Sequence, residues 1–78
     1  HPPSCPARRS SDLIVTLALL AALGNLDEVA MHVRATANTD ATREDVMEAM
    51  LHVAIYAGVP RANAAIKIAK ETFAEMDG

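Results

Sequence analysis

Two histidines in this chain each follow a glutamate by four residues, and acid/base chemistry could begin there. The pairs are Glu28 with His32 and Glu48 with His52. On a helix, residues at i and i+4 project from the same face. A carboxylate beside an imidazole can orient the ring and raise its basicity, which suits a general acid or base. Tyr56 extends the second pair into a Glu48–His52–Tyr56 stripe. Each pattern also has a plain structural counterpart. A Glu–His pair on a helix surface is commonly just a solvated pair. The His52–Tyr56 stripe could equally be the edge of a helix–helix interface, partly buried and hydrogen-bonded. Arg34 could hold a substrate carboxylate or be an ordinary surface arginine.

Other chemistries find less support. No His-x-x-x-His or Glu-x-x-His pair is present to begin a metal site on one helix. Cys5 is the sole cysteine, so the chain has no dithiol redox pair and no internal disulfide. The formal charge is -3 and the lysines and arginines are scattered, which argues against nucleic acid as a partner. The longest wholly apolar run, residues 17–23, is far too short to span a bilayer. Residues 1–13 carry Arg8 and Arg9 without the apolar stretch and cleavage site of a signal peptide, so a cytoplasmic origin is the default expectation.

These residues must be positioned by a small helical fold. Seventy-eight residues allow one domain, and a chain of that size buries only ~60% of its unfolded surface. Half the residues are hydrophobic, yet Tyr56 and Phe73 are the only aromatics, so the core must be aliphatic. The four methionines (Met31, Met47, Met50, Met76) read as core and interface filler. Residues 1–12 are rich in Pro, Ser and Arg and have no hydrophobic periodicity, so the tail, residues 1–13, is expected to be disordered. Arg8-Arg9-Ser10-Ser11-Asp12-Leu13 also resembles a sequencing-library adapter translated in frame. Either that stretch is foreign and the natural sequence begins near Ile14, or it is an ordinary flexible N-terminus.

Residues 14–78 then divide into four helical segments. Residues 14–23 are apolar nearly all round, as in a helix buried on most sides, and Gly24 stops them. Asn25 can cap the next helix, with Asp27 and Glu28 in its first turn. That helix is expected to reach residue 38 and to bury Leu26, Val29, Ala30, Val33 and Ala37. Thr42-Arg43-Glu44-Asp45 has capping-box form. The helix that follows presents Val46, Ala49, Met50, Val53 and Ala54 or Ile55 on one face. Gly58-Val59-Pro60 ends it, with Val59 expected to pack back on the last turn. The last segment, residues 60–76, turns Ala64, Ala65, Ile68, Ala69, Thr72 and Phe73 inward. The fold class is thus all-α, a small antiparallel bundle of about four helices.

Four stretches in register carry a family resemblance. They are Thr16-Leu17-Ala18-Leu19-Leu20-Ala21-Ala22-Leu23-Gly24, Glu28-x-x-x-His32-Val33-Arg34-Ala35, Thr42-Arg43-Glu44-Asp45-x-x-Glu48 and Tyr56-Ala57-Gly58-Val59-Pro60. Together, over residues 14–74, they closely resemble the 4-carboxymuconolactone decarboxylase family, whose fold is alkylhydroperoxidase-like. The match stops at Asp12-Leu13, which implies that N-terminal helices of the family are missing here. Two departures stand out. Asn38-Thr39-Asp40 replaces the usual Asn-Asn-Gly, which is expected to shift that loop, and Asp45 replaces the usual Glu.

The resemblance implies an enzyme without cofactor or metal that releases carbon dioxide from a lactone carboxylate in the 3-oxoadipate (protocatechuate) pathway of aromatic catabolism. It points to His32 as proton donor with Glu28 beside it, and to Arg34, His52 and Tyr56 as substrate-binding groups. It also implies a homo-oligomer with a small lactone as its partner, and neither nucleic acid nor membrane. A non-catalytic or differently specialised oligomeric binding protein of the same fold is the alternative. The related alkylhydroperoxidase-type enzymes carry Cys-x-x-Cys-x-x-x-His. Aligned on His32, those cysteines fall on Asn25 and Glu28, so the thiols that peroxide reduction needs are not there.

Overall fold

The computed structural model describes residues 10–78. These form an all-α fold of four helices, α1 (Ser10–Leu23), α2 (Leu26–Ala35), α3 (Arg43–Ala57) and α4 (Val59–Asp77), with a 3-10 turn at Thr36–Asn38. α1 and α4 pack on each other, and both pack on α2 and α3. The two Glu–His pairs therefore ride on the helices that flank a central α1–α4 pair.

α1 starts at Ser10, a full turn before residue 14, where sequence alone places it. Asp12 lies in its first turn, where the helix dipole favours a negative charge, and Thr16 Oγ1 donates to the Asp12 carbonyl at 3.0 Å. Leu13 is buried, which gives this extra turn a tertiary anchor. The rest of the expected tail, residues 1–9, lies outside the described residues. Sequence also expects α1 to be covered on most sides, and it is, apart from one stripe. Leu13, Leu17 and Ala21 face the core, while Val15, Leu19 and Leu23 form a line on the outer face, each more than half exposed. The other three helices leave that stripe of α1 uncovered, while Ile14, Ala18, Leu20 and Ala22 pack against the core.

The α1–α2 turn depends on Gly24, whose φ of 78° is a left-handed value that side chains resist. The Arg61 guanidinium from α4 occupies the space that a Cβ on Gly24 would need. Asn25 precedes α2 without a side-chain cap bond. α2 buries Val29 and Val33, half-buries Leu26 and Ala30, and then tightens into the 3-10 turn. That tightening changes the register. Thr36 is buried with its hydroxyl donating to the Val33 carbonyl at 2.6 Å, and Ala37, expected inside, is exposed. Thr39 ties the following loop, donating to the Thr36 carbonyl and accepting from the Ala41 amide, each at 3.1 Å.

α3 begins with the expected capping box. The Asp45 amide donates to Thr42 Oγ1, and the Thr42 amide donates to Asp45 Oδ2, both at 3.0 Å. Val46, Ala49, Met50 and Val53 are buried, and Ala54 rather than Ile55 completes the face, since Ile55 is 72% exposed. Gly58, at φ 108°, ends α3 with its amide donating to the Val53 carbonyl at 3.1 Å. Pro60 then sits in the first turn of α4, where its missing N–H costs nothing. Val59 does not pack back on α3. It is the first residue of α4 and more than half exposed.

Ala62, Ala65 and Ala69 give α4 a small-residue face that lets its neighbours approach closely, and Thr72 and Phe73 close it. Ala64 and Ile68 are half-buried beside them. The largest fully buried side chains are Leu17, Met50, Val29, Val33 and Val46, so the core is aliphatic as composition requires. Of the methionines, Met50 is core and Met47 packs against it, while Met31 and Met76 are exposed. No described helix is long and apolar enough to cross a membrane.

Candidate functional site

α2 buries Val29 and Val33, and that choice of face decides where Glu28 and His32 go. They fall on the shoulder of the helix, neither inside nor fully outside, with side chains 42% and 31% exposed. The ring is held by its own helix. His32 Nδ1 lies 2.8 Å from the Glu28 main-chain carbonyl oxygen, whereas the nearest Glu28 carboxylate oxygen is 3.9 Å away. The sequence brings the right two residues together, and the closer contact is main-chain rather than carboxylate.

The second pair sits on α3 in the same local geometry, with His52 Nδ1 3.0 Å from the Glu48 carbonyl oxygen. Both side chains belong to the exposed surface. Glu48, His52 and Ala49 line an open groove with Asp45 on α3 and with Ser11 and Ile14 from α1. A neighbouring groove runs along α3 between Arg43 and Leu51. His32 lines neither of them. Tyr56 is 83% exposed, so the expected half-buried interface edge at His52–Tyr56 is not formed within this chain. Asp45 is the groove residue that sequence reading assigned to capping alone. Its signal was available, since positions 45, 48 and 52 fall on one helical stripe.

Two of the described arginines are engaged in tertiary pairing. Arg34 on α2 pairs with Glu75 on α4, both exposed. Arg43 at the start of α3 pairs with Asp77 at the end of α4, and its guanidinium lies 4.8 Å from the centroid of the Phe73 ring. The hydrogen bond from Arg43 holds the Asp77 carboxyl below its ordinary range, and the same bond raises the Arg43 value. Arg34 is thus placed near the α2 surface but already has a carboxylate partner. Among the described residues, no group of three or more His, Cys, Asp and Glu could hold a metal ion.

In chemical terms, α2 presents an imidazole and a carboxylate side by side at a partly shielded surface, with no thiol among the described residues. Such a pair can move a proton to or from a bound molecule. Comparison with known proteins places the chain as a whole. The family model described as "Carboxymuconolactone decarboxylase family" matches residues 11–71, which takes in α1, α2, α3 and most of α4. The chain is 43% identical over 68 residues to a protein of Acinetobacter baylyi named 4-carboxymuconolactone decarboxylase. That alignment covers 87% of this chain and 51% of the relative, so the chain spans about half the relative's length. With the family model matched over most of its length, the chain belongs to the carboxymuconolactone decarboxylase family.

Proposed function

We propose that this chain is a carboxy-lyase subunit that takes carbon dioxide from 4-carboxymuconolactone, with His32 supplying the proton. The observation that carries the reading is the half-shielded imidazole of His32, fixed beside Glu28, in a chain similar to a protein named for that decarboxylation. In the reaction, the bond between a ring carbon and its carboxylate breaks and carbon dioxide leaves. The electron pair left behind spreads as a dienolate, and a carbon of that system then takes a proton. His32 as imidazolium gives that proton and is recharged from water.

Substrate binding falls to Arg34, His52 and Tyr56 in this reading. Arg34 reaches a substrate carboxylate by leaving Glu75, an exposed pair whose loss costs about 1 kcal/mol or less. His52 and Tyr56 lie on α3, which packs on α1 and α4. A second copy of the chain would therefore help to close the site, and the outer line of Val15, Leu19 and Leu23 is the surface we assign to it.

The test is carbon dioxide release from 4-carboxymuconolactone, with the Acinetobacter relative as positive control. His32→Ala is expected to lower turnover by about 10²–10⁴-fold, the usual worth of a positioned general acid. Unchanged turnover in a variant with an intact helical spectrum would remove His32 from the chemistry. Sedimentation of the purified chain tests the second copy, and a monomer at all concentrations would refute it.

A further inference from the structure

The contact at His32 determines which of its nitrogens can exchange a proton. A carbonyl oxygen accepts hydrogen bonds and cannot donate them, so the 2.8 Å approach of Nδ1 to the Glu28 carbonyl requires a proton on Nδ1. The requirement holds whether the ring is neutral or charged. The Glu28 carboxylate, 3.9 Å from Nδ1, is beyond hydrogen-bond reach. We infer that the Glu28 main-chain carbonyl pins the Nδ1 proton of His32, so that Nε2 carries the mobile proton and the Glu28 carboxylate takes no part in orienting the ring.

The inference rests on the proposed function only in giving the mobile proton a use. It alters how the pair works. A carboxylate on Nδ1 would favour the charged ring over the neutral one and would couple the two titrations. A neutral carbonyl fixes the ring and leaves the carboxylate free for a separate interaction. The main-chain contact also survives any change of the residue 28 side chain. The neutral imidazole in water prefers its proton on Nε2, so the tautomer assigned here is the opposite of the solution default.

The experiment uses the whole chain labelled with ¹⁵N-histidine. Long-range ¹H–¹⁵N spectra are recorded above the imidazole titration for the parent, Glu28→Gln and Glu28→Ala, with His32→Ala identifying the signal. The expected result is the Nδ1–H tautomer at His32 in all three, with dispersed amide signals reporting a retained fold. An Nε2–H ring in the parent overturns the inference. So does an Nδ1–H ring that switches in both Glu28 variants, since the carboxylate would then be the orienting group. Failure of the proposed function looks different, because absence of carbon dioxide release leaves the tautomer pattern as it stands.

Discussion

Leu17 and Leu19 are two residues apart on α1, identical in type and opposite in environment. Leu17 is fully buried where α1 meets the core, and Leu19 is 59% exposed on its outer face. Truncating Leu17 to alanine removes about three methylene equivalents, ~0.8 kcal/mol each, and leaves a cavity that the close-packed alanine face of α4 cannot easily fill. The expected loss is about 3–4 kcal/mol, against a total stability of about 4–12 kcal/mol for a chain of this size. With a urea dependence of ~1 kcal/mol/M, the unfolding midpoint falls by about 3 M.

Leu19→Ala in the lone chain should cost about 1 kcal/mol or less, because most of its side chain already meets water. The assay is urea unfolding followed by far-ultraviolet circular dichroism, suited to a chain with no tryptophan. A loss below about 1 kcal/mol for Leu17→Ala would refute the assignment of the core. A loss for Leu19→Ala that matches Leu17→Ala only at high protein concentration is the signature of a second copy on that face.

Two smaller perturbations test the local geometry. Thr42→Ala removes one half of the capping box and should lower stability by about 1 kcal/mol in the same urea assay, with no change in helix content below the transition. Asp77 has its carboxyl value lowered by the Arg43 hydrogen bond, so between the folded and unfolded values the unfolded chain binds more protons and stability rises with pH. The contribution is therefore complete above the ordinary value of 3.8 and is lost as pH falls through the lower folded one. Unfolding midpoints of the parent and Asp77→Asn should separate above about pH 4, converge below it, and lie closer together in high salt.

The parts of this fold legible from sequence are those set by neighbours along the chain. The capping box at Thr42 and Asp45, the stop at Gly58-Pro60 and the inner face of α4 involve residues within a turn or two of each other, so spacing alone reveals them. The Glu28–His32 pairing was legible for the same reason, although which oxygen meets Nδ1 was not, because that depends on the ring rotamer. Contacts across long separations left no trace in the pattern. Glu75 meets Arg34 from 41 residues away, and Arg61 reaches Gly24 from another helix. The apolarity of α1 showed that it wants cover but not how much its own chain supplies, and Ala37 missed the core because the 3-10 turn broke the 3.6-residue period.

The Gly24–Arg61 contact constrains how this sequence can drift. Two obstacles guard position 24, a left-handed backbone and a guanidinium lodged where a side chain would grow. The second can swing away, but the first cannot. Asn or Asp, which tolerate that backbone best, are therefore the side chains that position 24 should admit, with the Arg61 guanidinium moving aside for them. Read across divergent family members, position 24 should stay within Gly, Asn and Asp while position 61 varies, marking the α1–α2 turn by its backbone rather than by its contact.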